Sequence, residues 1–197
     1  VTTKTTHLYI YPDDDFSSVF QRLDSFGLVQ QPVLFKALAK QMGLQNKVFP
    51  GHYLIDESKN TIDLIRMLRG GLQTPVDIII NHVQRPPDVG RIVSDQLLLD
   101  SAAVMEALFD STYIDSLGFT PENALTFVIP NTYEFYWNVS AKSFRNRILK
   151  EFYAFWTPRR LKAAKEAGLK PSEVIVLASI VQKEMQHKEE AKIGRAH

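Results

Sequence analysis

Apolar positions along the chain recur with two periods, and the switch between them marks out the elements. His7-Leu8-Tyr9-Ile10-Tyr11 alternates and stops at Pro12, which predicts a strand. Phe16, Val19, Phe20 and Leu23 follow at i, i+3, i+4, i+7 behind Asp13-Asp14-Asp15, which predicts a capped helix. Phe35, Leu38, Ala39 and Met42 repeat that spacing, with Pro32 near the helix start and Gly43 at its end. Gly51-His52-Tyr53-Leu54-Ile55 is a second strand. Thr61 is expected to cap a third helix carrying Ile62, Ile65 and Leu68, closed by Gly70-Gly71. The order is β-α-α-β-α over residues 1–72.

Beyond Pro75, Val76, Ile78 and Ile80 alternate with their neighbours and predict a strand. Arg85-Pro86-Pro87-Asp88 reads as a turn, and helical spacing resumes at Val89, Ile92 and Val93 until Gly118-Phe119-Thr120-Pro121 breaks it. Leu125-Thr126-Phe127-Val128-Ile129 is expected to be a strand, ended by Pro130. Ser140 opens a long helix with Phe144, Ile148, Phe152 and Phe155 inward, broken or restarted at Pro158. Gly168-Leu169-Lys170-Pro171-Ser172 closes one helix and opens the last, expected to run to about Lys188. The fold class is therefore α+β, with a boundary near residues 71–75 and a helix-rich region over 73–197.

The last helix holds the one misplaced carboxylate. With Val174 at 0° and about 100° per residue, Val174, Leu177, Ala178, Ile180, Val181 and Met185 span one apolar arc. Glu184 falls at about 280°, inside that arc, while Lys183 lies at about 180° and Gln182 at about 80° on the shoulder. A carboxylate on such a stripe must find a partner or hold its proton. The second behaviour is what a glycosidic general acid needs; the alternative is a rim position where the helix frays. Asn131-Thr132-Tyr133-Glu134-Phe135-Tyr136-Trp137-Asn138 concentrates aromatics and amides. It reads as a carbohydrate platform or, equally, as a strand end packed on the core. Glu134 is a second candidate carboxylate, and Asn138-Val139-Ser140 fits a short glycosylation pattern.

Composition narrows the classes. The 197 residues carry 23 Lys+Arg against 22 Asp+Glu, so nothing marks a dedicated nucleic-acid binder. No Cys is present, which excludes a disulfide scaffold, Cys-ligated zinc and a thiol nucleophile. His7, His52, His82, His187 and His197 are scattered, and no metal-ligand spacing occurs; no metal is expected. No apolar run reaches the ~18 residues of a spanning helix. Charge is uneven: Ile92 to Ala141 holds no Lys or Arg and seven acids, whereas Lys142 to Lys165 holds eight basic residues and one acid. This suggests complementary solvated helix faces, or a basic surface for an anionic polymer or a lipid headgroup plane. Ser179, between Ala178 and Ile180, reads as a helix serine.

Leu177-Ala178-Ser179-Ile180-Val181-Gln182-Lys183-Glu184 resembles the "(L/M)ASI(V/I)EKE" signature of the YceG-like endolytic murein transglycosylases. Phe127-Val128-Ile129-Pro130-Asn131-Thr132-Tyr133-Glu134-Phe135 resembles their "(Y/F)LFPDTYEF" segment. Phe49-Pro50-Gly51-His52-Tyr53-Leu54-Ile55 with Thr61 to Gly71 is similar to their "AGTYxF…TxxEMLxxLxxG" stretch.

The resemblance implies a LysM-like subdomain over 1–72 and, over 73–197, the N-terminal part of the transglycosylase catalytic domain. It implies a lyase that cuts glycan strands between N-acetylmuramic acid and N-acetylglucosamine and leaves a 1,6-anhydro end. Glu184 would be catalytic. On the carbohydrate-platform reading Asn131, Tyr133, Tyr136 and Trp137 would bind substrate, with Gln182 beside Glu184, and no cofactor is expected. Glycan strands would be the partner, with cell-wall synthases as further candidates. The location would be the wall side of the bacterial cytoplasmic membrane, through an upstream helix. Two positions depart from the pattern: Gln182 stands for the first acid of "EKE", and Asn131 for the Asp of "PDTY". The family continues beyond this helix, so the chain as given is expected to be inactive and to leave its apolar arc uncovered. The alternative readings are a non-catalytic glycan-binding or scaffold module, and the pyridoxal-phosphate aminodeoxychorismate lyase of an older family label, for which no Lys or Gly loop stands out.

Overall fold

The computed structural model describes residues 5–56, 58–81 and 83–193, with side chains to 185. Strands β1 (Thr5–Ile10), β2 (Gly51–Asp56), β3 (Val76–Ile80) and β4 (Asn131–Phe135) form two two-stranded sheets, β1-β2 and β3-β4. The rest is helical: α1 (Phe16–Ser25), α2 (Pro32–Gln41), α3 (Thr61–Gly70), α4 (Pro86–Ser94), α5 (Ser101–Phe109), α6 (Ser111–Ser116), α7 (Ala141–Phe155), α8 (Pro158–Glu166) and α9 (Pro171–Ile193). The protein is an α+β, helix-rich fold in two compact units.

The first unit takes the described residues up to Ile78 with 96–98 and 133–139. β1 and β2 pair antiparallel, with Tyr9 opposite His52 and Leu8 opposite Tyr53. Alternation buries Leu8 and Ile10 completely, against Val19 and Leu23 of α1, Phe35 of α2 and Ile65 and Leu68 of α3. Asp15 caps α1 by accepting from the Ser18 amide at 2.8 Å. At α3 the cap is Asn60, one residue earlier than the expected Thr61. Its side chain accepts from the Asp63 amide at 2.9 Å, a geometry that Asn satisfies as well as Thr. Gly51 has φ +155°, a conformation that residues with a side chain rarely adopt, and a Cβ there would sit 2.1 Å from Gln73 Cδ, so the Gln73 side chain would have to move.

Thr74 then runs along β2. Its amide donates to His52 O at 2.8 Å and its hydroxyl accepts from the Leu54 amide at 3.1 Å. Its carbonyl accepts from His52 Nδ1 at 3.2 Å. That bond places the proton of neutral His52 on Nδ1, so its Nε2 accepts from His7 Nδ1, 2.9 Å away. Desolvation of the buried ring, the main cause, and the neighbouring His7 hold the His52 pKa below its ordinary value.

The second unit takes Ile79–Asp95, Leu99–Thr132 and the described residues from Ser140 on. α5 packs on α4 and α7. Gly90 fits against Ser101, whose Oγ a Cβ would meet at 2.5 Å. Asp100 and Asp110 accept from the Ala103 and Tyr113 amides at 2.7 and 3.0 Å, so two acids of the Lys/Arg-free stretch are helix caps.

Two local expectations are corrected here. Pro86 and Pro87 do not form a turn: they open α4, where proline's fixed φ suits the first helical positions, and Asp88 accepts from the Arg85 amide at 3.1 Å. Leu125–Ile129 is not a strand: Ala124–Phe127 is a 3₁₀ turn, tightened by Thr126, whose amide and hydroxyl both donate to Asn123 O. Thr126 to Ile129 are all buried, so the run lacks the alternation of a half-buried strand. The strand is β4, where Tyr133 and Phe135 point inward and Thr132 and Glu134 outward.

Candidate functional site

α9 begins after a helix stop. Gly168 has φ +70°, and the Gly168 and Leu169 amides donate to Lys165 O and Ala164 O. The Glu173 carboxylate accepts from the Lys170 amide at 2.7 Å and fixes the first turn. The helix runs to Ile193, beyond the expected end at Lys188. Ser179 donates its hydroxyl to Ile175 O at 2.9 Å, the local bond of a helix serine.

The polar shoulder of α9, not its apolar arc, faces a cleft. Ser179, Gln182 and Lys183 line one side of a cavity of about 630 Å³. Asn81, Val83, Gln84 and Pro130 line the other side. Gln182 therefore lies on a cleft beside the residue that precedes Asn131. The apolar arc is open, with Leu177 50%, Ile180 53%, Val181 51% and Met185 61% exposed. Glu184 lies in that open arc, exposed, and is not among the cleft-lining residues. From Leu177 to Met185 the arc is thus about half exposed.

The aromatic segment separates into different roles. Tyr133 is completely buried and Trp137 nearly so, which leaves neither ring a face for sugar in this structure. The Trp137 ring lies 5.1 Å from Tyr9 and 5.0 Å from Tyr11, both within the first unit. Tyr136 is 56% exposed and remains accessible. Exposed Asn131, in the second unit, accepts from the Thr132 amide at 2.8 Å and donates to Glu151 at 3.4 Å. Asn138 donates to Pro50 O at 3.0 Å, a tie within the first unit. Glu134 is exposed on the outer side of β4.

Of the cleft residues, Asn81 and Gln84 have no motif or spacing in the sequence that marks them as a site, and Ser179 and Lys183 are marked only by lying in the Leu177–Glu184 stretch. Asn81 and Gln84 carry only one signal, a polar stretch directly after the β3 pattern. Among the described residues no group of three or more His, Asp or Glu side chains could hold a metal ion. No helix there is long and apolar enough to cross a membrane.

The architecture is similar to the crystal structure of a YceG-like protein from Listeria monocytogenes, at a TM-score of 0.51 and 19% identity. The match covers 91% of this chain and 64% of that one, so the chain spans under two thirds of that protein's length. The chain belongs to the YceG-like family, whose model matches residues 8–195. No curated protein matches it.

Proposed function

We propose that this chain carries the acid–base residue of an endolytic peptidoglycan lytic transglycosylase, and that the residue is Glu184. Family membership supports the general class. The observation that carries the reading is the place of Glu184 in the family-like motif of α9. Glu184 is the acid inside the apolar arc of α9, and it occupies the last position of the Leu177–Glu184 motif.

The chemistry needs one group. The Glu184 carboxylic acid gives its proton to the glycosidic oxygen between N-acetylmuramic acid and N-acetylglucosamine as the bond to the anomeric carbon breaks. Positive charge develops at that carbon, as in other glycoside cleavage. The muramoyl 6-hydroxyl attacks the same carbon and passes its proton to the Glu184 carboxylate, which restores the acid and closes the 1,6-anhydro ring. No water enters, so the reaction is a lyase step, and no second carboxylate is required. Gln182, on the cleft, and Asn131 would then bond sugar hydroxyls or acetamides, and the exposed Tyr136 of the first unit would be a separate ring for sugar. On this reading the protein works on the wall side of the bacterial cytoplasmic membrane, on glycan strands and alongside wall synthases.

A second reading has one observation in its favour. Glu184 is exposed and flanked by open apolar side chains, as expected of a module that binds glycan without cutting it. Incubating glycan strands with the full-length protein and its Glu184→Gln variant separates the two. Anhydro-muramoyl ends from the native protein alone, seen by mass spectrometry, support the enzyme. Binding with no such ends supports the module.

A further inference from the structure

The second unit carries another cleft, which shares no residue with the one beside α9. It encloses about 410 Å³, within the roughly 300–1,000 Å³ of small-molecule pockets. Sequence explains why it exists. Ala103 and Ala107, one turn apart on α5, and Ala141 at the start of α7 leave a depression where larger side chains would have filled the packing.

Its polar lining has both signs. Lys142 and Arg145 of α7 supply cations, and Glu106 and Asp110, at and just beyond the end of α5, supply carboxylates. No ion pair within 4.0 Å joins them to one another or to any other described residue. Arg145 is held apart by Tyr113 of α6, its guanidinium carbon 4.3 Å from the ring centroid. The Arg145 Nε–H is buried without a hydrogen-bond partner, an omission that folded proteins rarely leave standing. Asp110 spends one oxygen on the Tyr113 amide and keeps the other. The positive end of α7 adds to the cationic side.

We propose that this cleft binds a zwitterionic α-amino-acid group, with its carboxylate on Arg145 and Lys142 and its ammonium on Glu106 and Asp110. A simple anion would satisfy the cations and face two carboxylates. A simple amine would do the reverse. A ligand that carries an ammonium and a carboxylate on one carbon meets both walls at once. Arginine's planar fork suits a carboxylate in particular. The group can belong to a free amino acid or to a diamino-acid side chain of a peptide, and neither source depends on the glycan reading of α9.

The test is titration of the protein with alanine, with propionate and propylamine as half-ligands, followed by amide chemical shifts. Alanine should bind with a dissociation constant of about a millimolar or below, and each half-ligand at least about tenfold more weakly, the loss of one charge-assisted contact. Glu106 is exposed, so Glu106→Gln should leave unfolding unchanged while abolishing the preference for alanine over propionate. Arg145→Lys should weaken alanine and propionate together by about tenfold. A peptide bearing a side-chain α-amino-acid group separates the sources: binding tighter than alanine assigns the cleft to peptide, and equal binding to the free amino acid. The proposal is overturned if alanine produces no shifts, if propionate binds as well as alanine, or if Glu106→Gln changes nothing.

Discussion

Replacing Trp137 by alanine is a direct test of what the aromatic segment is for. Trp137 is 6% exposed, and its ring contacts Tyr9 and Tyr11 of the first unit at 5.1 and 5.0 Å. Removing a buried Trp side chain costs about 3–5 kcal/mol. The two ring contacts would contribute about 0.5–1.5 kcal/mol each within that figure. At about 2–4 °C per kcal/mol for a chain of this size, the midpoint should fall by about 6–20 °C. Trp137→Phe keeps most of the buried area and should cost less than half as much. Tyr136→Ala, at the adjacent but exposed position, should change stability by about 0.5 kcal/mol at most. Thermal unfolding followed by circular dichroism suits the comparison, because its signal does not depend on Trp137, whereas the variant's tryptophan fluorescence would come from Trp156 alone. A Trp137→Ala protein within 1 kcal/mol of native would refute the burial argument and return Trp137 to the list of sugar contacts.

Two further outcomes are expected. The lowered His52 pKa means that the unfolded chain binds a proton at a pH where the folded chain does not. Stability should therefore be full above the unfolded value of 6.5 and decline as pH falls below it, and His52→Gln should flatten that slope; a flat native profile from pH 7 to 5 would contradict it. Gly51→Ala must adopt φ +155° beside Gln73 and should cost about 1–3 kcal/mol in thermal unfolding, whereas an unchanged midpoint would show that the segment shifts freely.

How far the sequence discloses this molecule depends on whether each signal is local. Caps and periods are local. Asp15, Pro32, Ser140 and Gly168 mark helix ends in both the pattern and the coordinates, and Leu8, Ile10, Val19 and Leu23 are core as their spacing predicts. Leu125–Ile129 misleads because a run apolar at four of its five positions has no polar face to read, and the Asn123–Thr126 bonds that curl it are not visible as a pattern. Trp137 is ambiguous for another reason. Its partners, Tyr9 and Tyr11, lie more than a hundred positions away in the sequence. Glu184 is legible as an acid on an apolar arc, yet only the coordinates reveal that the shoulder bearing Gln182, rather than the arc, borders the cleft.

The central claim is that Glu184 performs the proton transfers of glycan cleavage. The most direct measurement is the rate at which purified glycan strands gain 1,6-anhydro-muramoyl ends with full-length protein and with Glu184→Gln. Acid–base assistance is worth about 10²–10⁴ in rate, so the variant should be at least ~100-fold slower while unfolding at the native midpoint. Gln182→Glu, on the cleft side of α9, should alter the rate far less. Normal turnover by a folded Glu184→Gln protein would contradict the account.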